Sequence, residues 1–111
     1  MNTETTTARI RALNDAERWC LRGGLVDFTN GIASLLPRDQ AAVLDRVRTF
    51  DDFTPANDPH DEHDFGAFEH NGEKLFWKID YYAPDMLHGS EDPADPTKTT
   101  RVLTIMRADE Y

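Results

Sequence analysis

The stretch Phe65-Gly66-Ala67-Phe68-Glu69-His70-Asn71-Gly72-Glu73-Lys74-Leu75-Phe76-Trp77-Lys78-Ile79-Asp80-Tyr81-Tyr82 decides how this chain folds. Asn71-Gly72 is the pair best suited to a type I′ turn, because both central positions of that turn need φ above zero. The flanking segments, Phe65 to Glu69 and Lys74 to Tyr82, therefore read as the arms of a β-hairpin. A strand presents its side chains to alternate faces, so Leu75, Trp77, Ile79 and Tyr81 share one face and Phe76, Lys78, Asp80 and Tyr82 the other. The first face is expected to meet helices. On the second, Lys78 and Asp80 are expected to pair across the sheet with Glu69 or Arg101.

Working outward, Arg101 to Ala108 alternates Val102, Thr104 and Met106 against Leu103, Ile105 and Arg107. Both faces of that strand are largely apolar, which predicts a central or covered position. Upstream, Ala8 to Arg22 carries Ile10, Leu13, Ala16 or Glu17, and Cys20 at steps of three to four, an amphipathic helix stopped by Gly23-Gly24. Cys20, the lone cysteine, is expected to be a small buried apolar group. Leu25 to Thr29 reads as a short strand and Asn30-Gly31 as a turn. A second helix has Pro37 in its first turn, Asp39 near its positive end, and Val43, Leu44, Val47 and Phe50 as its apolar stripe. The fold predicted is a two-layer α+β domain over residues 8–111, two N-terminal helices on a mainly antiparallel sheet of about four strands, preceded by a flexible segment 1–7.

At 111 residues the chain has the size of one domain. Its 21 acidic residues against 12 basic ones give a formal charge of −9. Ten of the acids lie in two stretches that hold no Lys or Arg: Asp51, Asp52, Asp58, Asp61, Glu62 and Asp64, then Asp85, Glu91, Asp92 and Asp95. In a hairpin the start of the first arm lies beside the end of the second, so both acidic loops should leave the sheet at one end. An acidic pole argues against direct binding to nucleic acid and favours a basic protein surface as partner. Met1 to Thr7 has no apolar segment that would serve as a signal peptide, and no run approaches a membrane span, so no membrane association and a cytoplasmic setting are expected.

Asp58-Pro59-His60-Asp61-Glu62-His63-Asp64 is the most ligand-like segment, since imidazole with carboxylate suits Zn²⁺, Mn²⁺ or Fe²⁺. His60 and His63, however, are three apart in a Pro-containing loop with no helical frame to set their directions, so no metal, cofactor or catalytic residue is assigned. His63 between Glu62 and Asp64 has the neighbours of a general base. Ser90 has no Gly-x-Ser-x-Gly setting, and Gly23-Gly24 forms no phosphate loop.

The runs Phe50-Asp51-Asp52-Phe53-Thr54-Pro55-Ala56-Asn57-Asp58-Pro59, Glu62-His63-Asp64-Phe65-Gly66 and Trp77-Lys78-Ile79-Asp80-Tyr81-Tyr82, with Asp92-Pro93-Ala94-Asp95-Pro96 and Arg101-Val102-Leu103-Thr104-Ile105-Met106, resemble the family catalogued as domain of unknown function 3768. That resemblance implies a small stand-alone bacterial domain with a cytoplasmic setting and brings no established activity. Where the family carries an aromatic residue and a glycine after Asn-Asp-Pro, this chain has His60 and Asp61, which leaves His63 as the better ligand candidate.

Two functions follow as expectations. The first is a non-enzymatic binding protein whose partner-binding residues are Asp51, Asp52, Asp58, Asp61, Glu62, His63, Asp64, Asp85, Glu91, Asp92 and Asp95. Its partner would be a basic protein surface, including that of a nucleic-acid-binding defence complex blocked by charge mimicry in the anti-CRISPR or anti-restriction manner. The alternative is a small metal-dependent hydrolase using Glu62-His63-Asp64. A homodimer through an uncovered sheet face is a third possibility.

Overall fold

The computed structural model describes residues 5–21 and 25–111. Strands β2 (Phe65–His70) and β3 (Glu73–Tyr82) pair antiparallel, and His70 opposite Glu73 closes the two-residue turn. Asn71 and Gly72 take φ of 51° and 79°, the left-handed pair that a type I′ turn requires. β4 (Thr100–Arg107) runs antiparallel to β3 and parallel to β1 (Leu25–Phe28), giving the order β1-β4-β3-β2. The two-faced apolar strand is thus an interior one, with Val102 and Met106 buried on one side and Leu103 and Ile105 on the other.

Among the described residues three α-helices accompany this sheet: α1 (Thr6–Cys20), the single-turn α2 (Asn30–Ala33) and α3 (Pro37–Arg48). Ile32, Val43 and Val47 meet Leu75, Trp77, Ile79, Leu103 and Ile105 in one core, so the face of β3 expected to meet helices does so. The other face carries Phe65 and Phe76, against which the Tyr111 ring sets its edge.

Several expectations need correction. α1 begins at Thr6, two residues before Ala8, because the Thr5 hydroxyl caps it by accepting the Ala8 N–H. It ends where Leu21 turns left-handed and donates to the Glu17 carbonyl; the Gly23-Gly24 stop lies outside the described residues. The helix buries Ile10, Asn14 and Arg18 rather than the Leu13–Cys20 line. Leu13, Ala16 and Cys20 instead line a shallow groove beside Pro96 and Thr99, and Cys20 is exposed. The expected Asn30-Gly31 turn is the first turn of α2, because the Glu110 carboxylate accepts both the Gly31 N–H (2.9 Å) and the Thr29 hydroxyl (2.7 Å) and so anchors that helix start. Lys78 and Asp80 pair with each other at 2.7 Å. Arg101, opposite Tyr81, belongs to the other face and is out of reach of Lys78 and Asp80.

The register fixes the site. Phe65 lies opposite Lys78 and Tyr82 opposite Thr100, so the start of β2, the end of β3 and the start of β4 share one end of the sheet. Loops 51–64 and 83–99 both emerge there. Among the described residues no helix is long and apolar enough to cross a membrane.

Candidate functional site

The first acidic loop is bound to α1 by groups that leave water to do it. Asn14, fully buried, donates from Nδ2 to the Glu62 carbonyl (3.0 Å) and to the Tyr81 hydroxyl (2.8 Å), while its Oδ1 accepts from Arg101 Nε (2.7 Å). Tyr81 in turn donates to Glu62 Oε1 at 2.8 Å, and Arg101 also donates to the Pro93 carbonyl at 2.6 Å. One buried amide therefore connects the first loop, the end of β3, the start of β4 and, through Arg101, the second loop. Burial, more than the adjoining Glu62, raises the Tyr81 phenol well above its ordinary range, so it stays a donor.

One helical turn on, Arg18 donates to the Val47 (2.8 Å) and Phe50 (2.7 Å) carbonyls at the end of α3. Val47 lies in the last turn of α3, where carbonyls lack a donor four residues on within the helix, and a guanidinium also complements the dipole there. Its plane covers Trp77 and Phe53, with Cζ 4.9 Å and 5.3 Å from the ring centroids. Burial lowers the Arg18 pKa, and Asp15 at 3.2 Å opposes that shift.

His63 sits at the meeting point. Its ring stacks flat on Phe53 (centroids 3.7 Å apart, planes 3° apart), and Nδ1 lies 2.8 Å from Asp15 Oδ1. Its backbone N–H donates to Asp58 Oδ1 at 3.2 Å, and its Nε2 lies 3.8 Å from Asp58 Oδ2. Asp58 is buried, and Asp61 is held to the surface of α1 by Arg11, which donates to both its carboxylate (2.7 Å) and its carbonyl (2.9 Å). Asp61 and His63 both adopt left-handed φ, 55° and 54°, the local cost of turning both toward α1.

The structure thus separates the residues that the sequence grouped. The carboxylates beside the His63 ring are Asp15 and Asp58, not its chain neighbours: Glu62 turns to Tyr81, and the Asp64 carbonyl joins the sheet by accepting the Ile79 N–H. The Asp64 carboxyl is raised above its usual range, by burial first and then by the Glu62 charge. Glu62-His63-Asp64 is therefore not a convergent triad. His60 is exposed.

Asp51 and Asp52 face solvent at the edge of β2. In the second loop Asp85 accepts the Leu87 N–H (2.9 Å) and faces the His88 ring (3.0 Å), Asp92 accepts the Ala94 N–H (3.1 Å), and Asp95 accepts the Thr97 N–H and hydroxyl (2.9 and 2.7 Å). Leu87 N–H holds Asp85 below the ordinary carboxylate range, and Thr97 does the same for Asp95. Glu91 reaches toward Lys98 at 3.6 Å, and Ser90 ties Asp92 N–H to Thr99.

Asn14, Asp15, Arg18 and Arg101 are the residues that sequence reasoning did not assign to the site. Their signal was present: Arg11, Asn14, Asp15 and Arg18 fall at helical steps of three and four, a polar stripe as regular as the apolar one.

The family described as a protein of unknown function (DUF3768) matches residues 28–110. No curated protein and no solved structure matches the chain.

Proposed function

Because the chain belongs to that DUF3768 family, whose description names no activity, its function has to come from its own surface, and we propose a non-catalytic binding domain that docks a basic protein through its loop end. The observation that carries this reading is the shared end of the sheet from which loops 51–64 and 83–99 both emerge. The docking set is narrower than the acid count. Asp58 is buried, Glu62 and Asp64 are half-buried, and Asp92 and Asp95 are half-buried turn caps. Asp51, Asp52, Asp61, Asp85 and Glu91 keep solvent-facing carboxylates.

Exposed carboxylates of this kind steer a basic surface electrostatically and lose that advantage as salt screens them over about 10 Å or less. Surfaces that grip nucleic-acid phosphates have the complementary charge, so an inhibitor of a nucleic-acid-binding defence machine, of anti-CRISPR or anti-restriction type, is the specific form of the proposal. A hydrolase using Glu62-His63-Asp64 is the weaker alternative, because Glu62 is bonded to Tyr81 and the carboxylates beside the His63 ring are Asp15 and Asp58, not its chain neighbours.

The test is affinity capture from cells of the source organism at low and high salt, with wild type beside Asp51→Lys, Asp52→Lys, Asp85→Lys and Glu91→Lys combined. A basic nucleic-acid-binding protein retained only by wild type and only at low salt supports the reading. Capture unaffected by the four reversals, or insensitive to salt, removes it.

A further inference from the structure

We infer that Asp58, Asp61 and His63 form a site for one divalent transition-metal ion, with Asp15 orienting the imidazole. One ligand atom from each of the three lies within 4.8 Å of the others. A group of acids at the surface would not carry this inference alone. What carries it is the Asp58 carboxylate: the residue is 5% exposed, yet its Oδ2 has no hydrogen-bond partner and is turned to His63 Nε2 at 3.8 Å. A buried carboxylate oxygen left without a donor is costly, on the order of 1–3 kcal/mol or more, and persists where something else satisfies it. At 3.8 Å the two atoms are too far apart for a hydrogen bond and close to the spacing of two ligands that each reach about 2 Å to a shared ion.

The ring is also set up for that role. A carboxylate can only accept, so Asp15 Oδ1 at 2.8 Å accepts the Nδ1–H hydrogen bond and leaves the Nε2 edge toward Asp58. A carboxylate behind a histidine, fixing its tautomer and direction, is the usual support of a metal-bound imidazole. Phe53 stacked on the ring fixes its plane. Arg11 occupies one oxygen of Asp61, and a carboxylate so held still has the other to offer.

The ligand set, two carboxylates and one imidazole, fits Zn²⁺ or Mn²⁺ better than Ca²⁺ or Mg²⁺, which favour all-oxygen shells. An ion there would tie the loop to α1 through Asp15 and Arg11. The inference shares Asp61 with the docking surface, but the four carboxylates reversed in the docking test, Asp51, Asp52, Asp85 and Glu91, take no part in it.

Two measurements test it. In the unmodified protein, substoichiometric Mn²⁺ should broaden the amide NMR signals of residues 58–63 and 11–15 first. Broadening spread equally over Asp51, Asp52, Asp85 and Glu91, or none at all, overturns the site. By calorimetry, Zn²⁺ should bind wild type at one equivalent, Asp52→Asn equally well, and Asp58→Asn and His63→Gln at least about tenfold more weakly. Folded Asp58→Asn, checked by circular dichroism, binding Zn²⁺ as tightly as wild type contradicts the assignment; if that variant does not fold, the Mn²⁺ pattern in wild type decides.

Discussion

The two acidic loops leave the same end of the sheet, yet they use their carboxylates in opposite ways. In loop 51–64 the carboxylates after Asp52 engage distant elements: Asp58 is buried, Glu62 meets Tyr81 of β3, and Asp61 meets Arg11 of α1. In loop 83–99, Asp85, Asp92 and Asp95 cap turns of their own loop, each accepting an N–H two residues on. Two acidic loops thus owe their order to different things, tertiary burial in one and local turn chemistry in the other. Formal charge along a sequence is consequently a poor guide to the charge a surface presents.

The widest separation between the loops should come from Asn14→Leu. It keeps the volume but strips Arg101 Nε of its acceptor and leaves the Glu62 carbonyl and Tyr81 hydroxyl short of a donor. Urea denaturation should show a loss of about 3 kcal/mol, because a buried charged donor is left unmatched. The corresponding change in the second loop is Ser90→Ala, which removes contacts to Asp92 N–H, Lys98 O and Thr99. It should cost about 1 kcal/mol in the same assay, the worth of ordinary hydrogen bonds near solvent. A larger loss there than at Asn14 would erase the distinction between the loops.

Smaller still is Arg11→Ala. Its ion pair with Asp61 is largely solvated, with side chains 30% and 72% exposed, and should contribute under about 1 kcal/mol. Acidification supplies the subtlest contrast. Asp85 and Asp95 are depressed, so their contribution to stability is complete at neutral pH and lost as pH falls through their lowered pKa values. Asp64 is raised, so the folded state binds its proton more tightly than the unfolded chain, and its ionised form detracts from stability at neutral pH. Carboxyl-carbon NMR titration should therefore find Asp64 protonating before Asp85 and Asp95 as pH falls.

The parts of the fold legible in sequence are those set by local geometry. Asn71-Gly72 and the two-residue alternation around it specify the hairpin, and apolar residues on both faces of β4 require neighbours on both sides. The parallel partnership of β1 with β4 had no such marker, because residues such as Val26 and Leu103 pair across most of the chain. The inward face of α1 was misread for an energetic reason. A hydrophobic stripe measures what leaves water cheaply, whereas Asn14 and Arg18 are buried because carbonyls and a hydroxyl from distant segments accept from Asn14 Nδ2 and Arg18 Nη1. In the same way Asn30-Gly31 starts a helix because of a carboxylate at Glu110, at the far end of the chain. At the candidate site, His63 was visible from its residue type; its partner Asp15, 48 positions away, was not.

Native-state hydrogen exchange compares the loops most directly, because in each a backbone N–H is donated to an aspartate side chain: His63 to Asp58 in the first, Leu87 to Asp85 and Thr97 to Asp95 in the second. The His63 amide should exchange only through large-scale opening, with a protection free energy near the global value, while Leu87 and Thr97 exchange through local fluctuation. Equal protection of all three, or a His63 amide that exchanges as fast as Leu87, would contradict a first loop fixed to α1 by burial.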